Sequence, residues 1–314
     1  MLASLISGSP KTRWSHYCRF CLLPHLCADV MGIVVAYAAN IECNFLRAWG
    51  SRGTRDFEMQ FPFDVCTKGN ELFLADSGNH RVVVFDQATG KVIRLLKGLL
   101  KDQGVIAPYC LAIRDDELFI GDYSDIRVFD METFRFRRML AGTNVRQVNP
   151  YGLALFNDYI FTCGYNNDLL VCSIQDGRIL RSIGNKGIDK LEFHGPRHLR
   201  VDENELFVAD CYNNRIQVLD VKSNMFLRQY NGTDQVDNLL LQPYSMLPYG
   251  HEVIVCDTSN SRLVIFDRMH GTVQRSIREE CTAYGQFVPT DITKNARDEF
   301  FVCDYHHHRI LVFQ

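Results

Sequence analysis

The chain has 314 residues, 46% hydrophobic and 23% charged, enough to bury a sizeable core. A formal net charge of −3 gives no global pull toward nucleic acid or an anionic membrane, so either partner would need a local basic patch. The longest apolar run, residues 30–39, is about half the length of a bilayer-crossing helix, so no membrane partner is expected.

Residues 1–42 read as an N-terminal extension. Residues 1–28 lack Asp and Glu but hold Lys11, Arg13, Arg19 and four serines, the composition of a mitochondrial presequence. Pro10 and Pro24 would break the amphipathic helix of such a presequence. A signal peptide ending at Ala36-Tyr37-Ala38 would need an unusually long basic region. The expectation is a cytoplasmic protein, with mitochondrial and secreted readings as alternatives. His16, Cys18, Cys21, His25 and Cys27 are metal-capable, but their spacing is tighter than that of the usual zinc loops.

Beyond the extension, six of the nine prolines (Pro62, Pro108, Pro150, Pro196, Pro243, Pro289) recur every 42 to 47 residues. The first five are followed 14 residues later by Asp76, Asp122, Gly164, Asp210 and Asp257, and Pro289 is followed 15 later by Asp304. Such a period with short apolar runs marks a repeat architecture. In the first unit, strands are predicted at 62–66, 71–75, 82–85 and 91–96, separated by turns at 67–70, 76–81 and 87–90. Four antiparallel strands on about 45 residues make one propeller blade.

The other units repeat this grammar. The third is degenerate, with Gly164 for the aspartate and Leu169 for the arginine that follows five positions later elsewhere. The last unit stops after its third strand, and residues 44–49 match the missing fourth. The expected fold is all-β: a six-bladed β-propeller of four-stranded antiparallel blades over residues 43–314, closed by the N-terminal strand so that no edge is left free. Of twelve cysteines, Cys163, Cys256 and Cys303 stand where Ala75, Gly121 and Ala209 stand in other units, so they read as small buried residues in a reducing compartment.

The combination Pro-(aromatic), then Asp-x-x-Asn-x-Arg between apolar runs, then Phe-x-x-x-Gly, resembles the NHL repeat family, whose members form six-bladed propellers. The Asp-x-x-Asn-x-Arg element is intact at 76–81, 210–215 and 257–262, and the sixth unit has His307 for Asn. Asp76, Arg81, Asp210, Arg215, Asp257, Arg262, Asp304 and Arg309 read as structural turn residues. The aspartate accepts turn amides, Asn or Gly supplies positive φ, and the arginine pairs with a carboxylate at the rim. Similarity to the NHL domains of tripartite-motif proteins implies recognition of protein or RNA by one face. Family members often carry a ubiquitin-ligase module, which residues 1–43 do not supply, so ligase activity is not assigned.

In this fold the residues after each proline ring the channel mouth. The first of them are Phe63, Tyr109, Tyr151, Arg197, Tyr244 and Thr290; the second are Asp64, Cys110, Gly152, His198, Ser245 and Asp291. Tyr123, Tyr165, Tyr212 and Tyr305, on the turns after the second strands, extend the rim. Aromatics beside Arg197 suit gripping a peptide or stacking on bases. Single-stranded RNA wants a clearly positive groove, and the basic residues Arg52, Arg55, Arg146, Lys186 and Lys190 are diluted by acidic neighbours. Resemblance to peptidylglycine amidating lyase implies channel zinc on several histidines. Only His198 stands at a comparable place, opposite Asp64 and Asp291, a poor tetrahedron. No phosphate-binding loop, nucleophile elbow or Cys–His pair is present, and His306-His307-His308 reads as an exposed turn. The expectation is a monomeric, non-enzymatic scaffold without cofactor or metal, binding protein or peptide. Single-stranded RNA binding and a lyase or hydrolase at the mouth are the alternatives.

Overall fold

A computed structural model describes residues 44–97, 107–122, 125–140, 148–164, 166–232, 239–278 and 287–314. The N-terminal extension, with its targeting and Cys/His readings, lies outside the described residues, as do Tyr123, Tyr165 and Arg146. Residues Asn44–Gln314 form one compact unit.

The described strands fall into six four-stranded antiparallel sheets and one two-stranded parallel pair, Asn185–Lys186 with Glu192–Phe193. The six inner strands are Pro62–Lys68, Cys110–Arg114, Val148–Phe156, Pro196–Asp202, Pro243–Tyr249 and Pro289–Lys294. Each inner strand neighbours the next around the ring, and the sixth neighbours the first. The second strands are almost continuously apolar because other blades cover both their faces: Leu72, Phe73, Leu74 and Ala75 are all fully buried. Apolar clusters accordingly lie between blades, one joining blades three and four and another joining six and one. Outer strands border solvent and alternate, so Val92–Leu96 buries Leu96 fully and exposes Ile93.

The first strand, Phe45–Trp49, pairs antiparallel with Arg309–Phe313, from Phe45 opposite Phe313 to Trp49 opposite Ile310. It thereby completes the sixth blade and closes the ring. Trp49 packs on Phe301 of blade six at 5.4 Å and on Phe85 of blade one at 6.0 Å, welding the two ends of the repeat array.

The turn residues are buried hubs, not rim groups as the sequence suggested. Asp210 Oδ2 accepts from Arg215 Nε at 2.8 Å and Asn213 Nδ2 at 2.9 Å, while Oδ1 accepts from His194 N at 2.7 Å. Asp76 with Arg81, Asp257 with Arg262 and Asp304 with Arg309 repeat the pair at 2.6, 2.6 and 2.7 Å. All four aspartates are fully buried because the following arginine reaches back over the incoming loop, as Arg81 does to Arg55 O and Glu58 O. Positive φ falls on the residue just before each arginine (His80, Asn214, Ser261, His308), and Asn79 instead donates to Asp76. His308 is buried and its Nδ1 accepts from Phe61 N, so the His306–His308 turn is exposed only at its first two residues.

A second fastening passed unread in the sequence. Every outer strand carries an arginine: Arg47, Arg94, Arg138, Arg181, Arg228 and Arg275. Five pair within their blade to the glutamate that starts or precedes the second strand, as in Arg47–Glu299 at 3.0 Å, Arg228–Glu205 at 2.6 Å and Arg275–Glu252 at 2.9 Å. Arg94 with Glu71 and Arg138 with Glu117 complete the set. Several also donate to a carbonyl in the next blade: Arg94 to Met131 O and Arg228 to Arg268 O, both at 2.8 Å. Among the described residues no helix is long and apolar enough to cross a membrane, and the described cysteines are free thiols.

Candidate functional site

The site is the channel mouth, and a recurring backbone irregularity shapes it. Proline starts most inner strands because it cannot donate to a ladder. Directly after Pro62, Pro196 and Pro289 the pairing register slips, resuming at Val65, Leu199 and Ile292. Such a bulge re-aims the intervening side chains. The second residue after each of these prolines is thereby turned to the axis: Asp64, His198 and Asp291.

These three converge. His198 Nε2 lies 3.6 Å from Asp291 Oδ1 and 4.0 Å from Asp64 Oδ1, and one donor atom from each residue lies within 4.8 Å of the other two. The sequence-based expectation that His198 stands too far across the ring is thus corrected. Inner strands on opposite sides of a six-bladed ring are close enough at the axis for their side chains to meet. The carboxylates also tie blades together. Asp64 Oδ2 accepts from Leu111 N of blade two at 2.7 Å, and Asp291 Oδ2 accepts from Val65 N of blade one at 2.9 Å. Ser245 Oγ donates to Asp291 Oδ1 at 2.5 Å, and Arg200 Nη2 lies 3.8 Å from that oxygen.

All three axial groups are at least nine-tenths buried. Burial, reinforced by the Asp291 charge and hydrogen bond, pushes Asp64 well above the ordinary carboxylate range. Burial presses Asp291 the same way, but His198, then Arg200 and the hydrogen bonds from Asp64 and Ser245, outweigh it and hold Asp291 low. Burial lowers His198 to about 4 against the pull of Asp291. Burial and the neighbouring carboxylate thus favour the neutral form of Asp64, Asp291 is held towards its ionised form beside Arg200, and burial favours the neutral imidazole.

Above them sits an aromatic collar. Phe63 meets Tyr109 at 5.1 Å, Tyr244 at 6.0 Å, Tyr305 at 6.0 Å and Tyr151 at 6.4 Å, spanning the mouth instead of lining it. The Arg197 guanidinium stands over Tyr151 at 4.2 Å, Tyr244 at 5.3 Å and Tyr212 at 5.6 Å, and Nη2 donates to Tyr212 Oη at 3.0 Å. Its Nε is buried without a hydrogen-bond partner, and among the described residues no carboxylate pairs with it. Phe63, Asp64, Tyr109, Tyr151, Arg197, His198, Tyr244 and Thr290 enclose a cavity of about 10 Å³, room for about one water-sized species. Tyr212 and Tyr305 lie at its margin. Arg200 went unnoticed in the sequence, yet it stands two residues after His198, and the period of a strand puts both on one face.

The NHL repeat family model matches residues 59–85 and 193–219, the stretches holding the Asp76 and Asp210 hubs. The chain thus carries NHL repeats within a six-bladed β-propeller. Its fold is similar to that of the WD40 β-propeller domain of Doa1, at 13% identity and a TM-score of 0.59, covering 88% of this chain and 97% of that one. A computationally designed protein, Ika8, is also similar, at 13% identity and a TM-score of 0.49, over 81% of this chain and 71% of that one. A search of curated proteins found no match in sequence.

Proposed function

We propose that this NHL-repeat propeller is a non-enzymatic, monomeric scaffold that binds a protein or peptide at the channel mouth, with Arg197 as its anchor for a carboxylate. The observation that carries this reading is the Arg197 cage: a guanidinium held over three tyrosine rings with no acidic residue paired to it among the described residues. Stacking fixes the guanidinium plane, which lowers the entropic cost of a charge-assisted hydrogen bond to an incoming anion. An aromatic–arginine centre is also the composition of interface hot spots. Base stacking is the weaker use of this surface, because the collar rings already face one another.

The test is fluorescence anisotropy with labelled peptides that carry Glu, Asp or a free C-terminus, against amide counterparts. Acidic peptides are expected to bind, with affinity falling at least about tenfold in Arg197→Ala and Tyr244→Ala. Equal binding of charged and amide peptides, or none at either, overturns the reading. Salt-steep binding of single-stranded oligonucleotides that is lost in the same variants replaces it with RNA recognition.

A further inference from the structure

Beneath the collar, His198 is a buried imidazole, 8% exposed, with no hydrogen bond at Nδ1. Its Nε2 points between two carboxylates at 3.6 and 4.0 Å, both beyond hydrogen-bond reach. Buried polar groups without partners are rare and need a cause. The gaps themselves suggest one. Donors each about 2.0–2.2 Å from a common ion at a tetrahedral angle stand roughly 3.3–3.6 Å apart, and the His198 Nε2 to Asp291 Oδ1 gap of 3.6 Å already falls at that spacing, with all three donors within 4.8 Å of one another.

We propose that Asp64, His198 and Asp291 bind one divalent transition-metal ion on the propeller axis. One imidazole nitrogen and two carboxylate oxygens suit Zn²⁺ or Mn²⁺ better than Ca²⁺ or Mg²⁺, which favour oxygen alone. The site is already built around its donors. Leu111 N holds Asp64 Oδ2 and Val65 N holds Asp291 Oδ2, while Ser245 Oγ donates to Asp291 Oδ1 and fixes the oxygen that, with Asp64 Oδ1, faces His198 Nε2. Such outer contacts hold ligating carboxylates in position. The cavity of about 10 Å³ bounded by Asp64 and His198 gives a fourth position to water. The ion joins blades one, four and six through the centre of the ring, a brace that is independent of what the collar recognises.

The experiment uses the full chain, stripped with chelator and titrated with Zn²⁺, Mn²⁺, Ca²⁺ and Mg²⁺ by isothermal calorimetry, with the unfolding midpoint followed in parallel. One equivalent of Zn²⁺ or Mn²⁺ is expected to bind and raise the midpoint, with Ca²⁺ and Mg²⁺ at least about tenfold weaker. His198→Gln and Asp64→Asn, each checked for native circular dichroism, should weaken binding at least about tenfold and remove the midpoint shift. Absence of a saturable equivalent overturns the proposal, as does undiminished binding in His198→Gln, the variant least able to disturb the fold. Binding that survives His198→Gln but is lost in Cys18→Ser/Cys21→Ser, with a thiolate charge-transfer band on Co²⁺ substitution, assigns the metal to the N-terminal segment and refutes an axial site.

Discussion

Replacing Trp49 with alanine tests whether the two ends of the repeat array are welded by packing as well as by strand pairing. Trp49 is 9% exposed, and its ring bridges Phe301 of the last blade and Phe85 of the first. Burial and cavity terms for a core Trp→Ala change cost about 3–5 kcal/mol. Two ring pairs at 5.4 and 6.0 Å, each adding about 0.5–1.5 kcal/mol beyond area, place the loss near the upper end, about 5 kcal/mol. For a domain of this size that is a fall of about 10–20 °C in Tm. The same contact is probed from its other side by Gly90→Ala. Gly90 has φ +68°, and a Cβ there would sit 2.5 Å from the indole Nε1 of Trp49. Guanidinium unfolding followed by circular dichroism of the two single variants and the double variant should give a coupling above about 0.5 kcal/mol. A Trp49→Ala protein that loses under about 1 kcal/mol and elutes as wild type would refute the weld.

Three other outcomes follow from the fastenings. Asp210→Ala leaves the Arg215 guanidinium buried without its carboxylate and should cost about 3–5 kcal/mol, read as a shift of the denaturant midpoint; a loss below about 1 kcal/mol means the hub is dispensable. Glu205 bonds both Arg228 and Arg268; burial opposes ionisation there, but these arginines prevail and hold its carboxyl below the usual range. A depressed carboxylate stabilises the fold above its unfolded value and loses that contribution as pH falls through the folded value, so Glu205→Gln should flatten the stability profile below about pH 4.5, and an unchanged acid limb contradicts the pairing. At Gly152 a Cβ would meet Arg197 O at 2.3 Å and the His198 Cα at 2.8 Å, so Gly152→Ala should force blades three and four apart and cost about 1–3 kcal/mol, which differential scanning calorimetry measures.

The ring was legible because it rests on spacing. Prolines at a steady interval and an aspartate a fixed distance later report the blade whatever its neighbours do, and the run 44–49 could be matched to a missing fourth strand on pattern alone. The axial site was not legible to the same degree. Asp64, His198 and Asp291 were placed on the inner ring, but their meeting depends on channel width and on the slipped register after Pro62, Pro196 and Pro289, which no pattern of residues states. The collar residues were named in sequence, whereas the way Phe63 crosses the mouth to reach Tyr244 and Tyr151 is a packing outcome. Arg47, Arg94, Arg138, Arg181, Arg228 and Arg275 passed unremarked although they repeat as regularly as the prolines, because charged residues on half-exposed strands look like ordinary solvated surface.

Blade three differs from its neighbours in one more respect. Gly164 stands where the hub aspartate should be, and Asp168 Oδ1 lies 1.9 Å from where a Cβ of residue 164 would stand, so the carboxylate has moved four residues along the chain. Leu169 replaces the clamping arginine, and Arg181 stacks on Tyr159 instead of meeting a glutamate. A cask whose staves are all riveted but one leaks at that stave. Thermal breathing should therefore start in blade three, across the ring from the joint of Phe45–Trp49 with Arg309–Phe313. Amide protons of Tyr159–Gly164 should then exchange ahead of those of Glu205–Asp210, although both are the second strand of their blade and similarly buried.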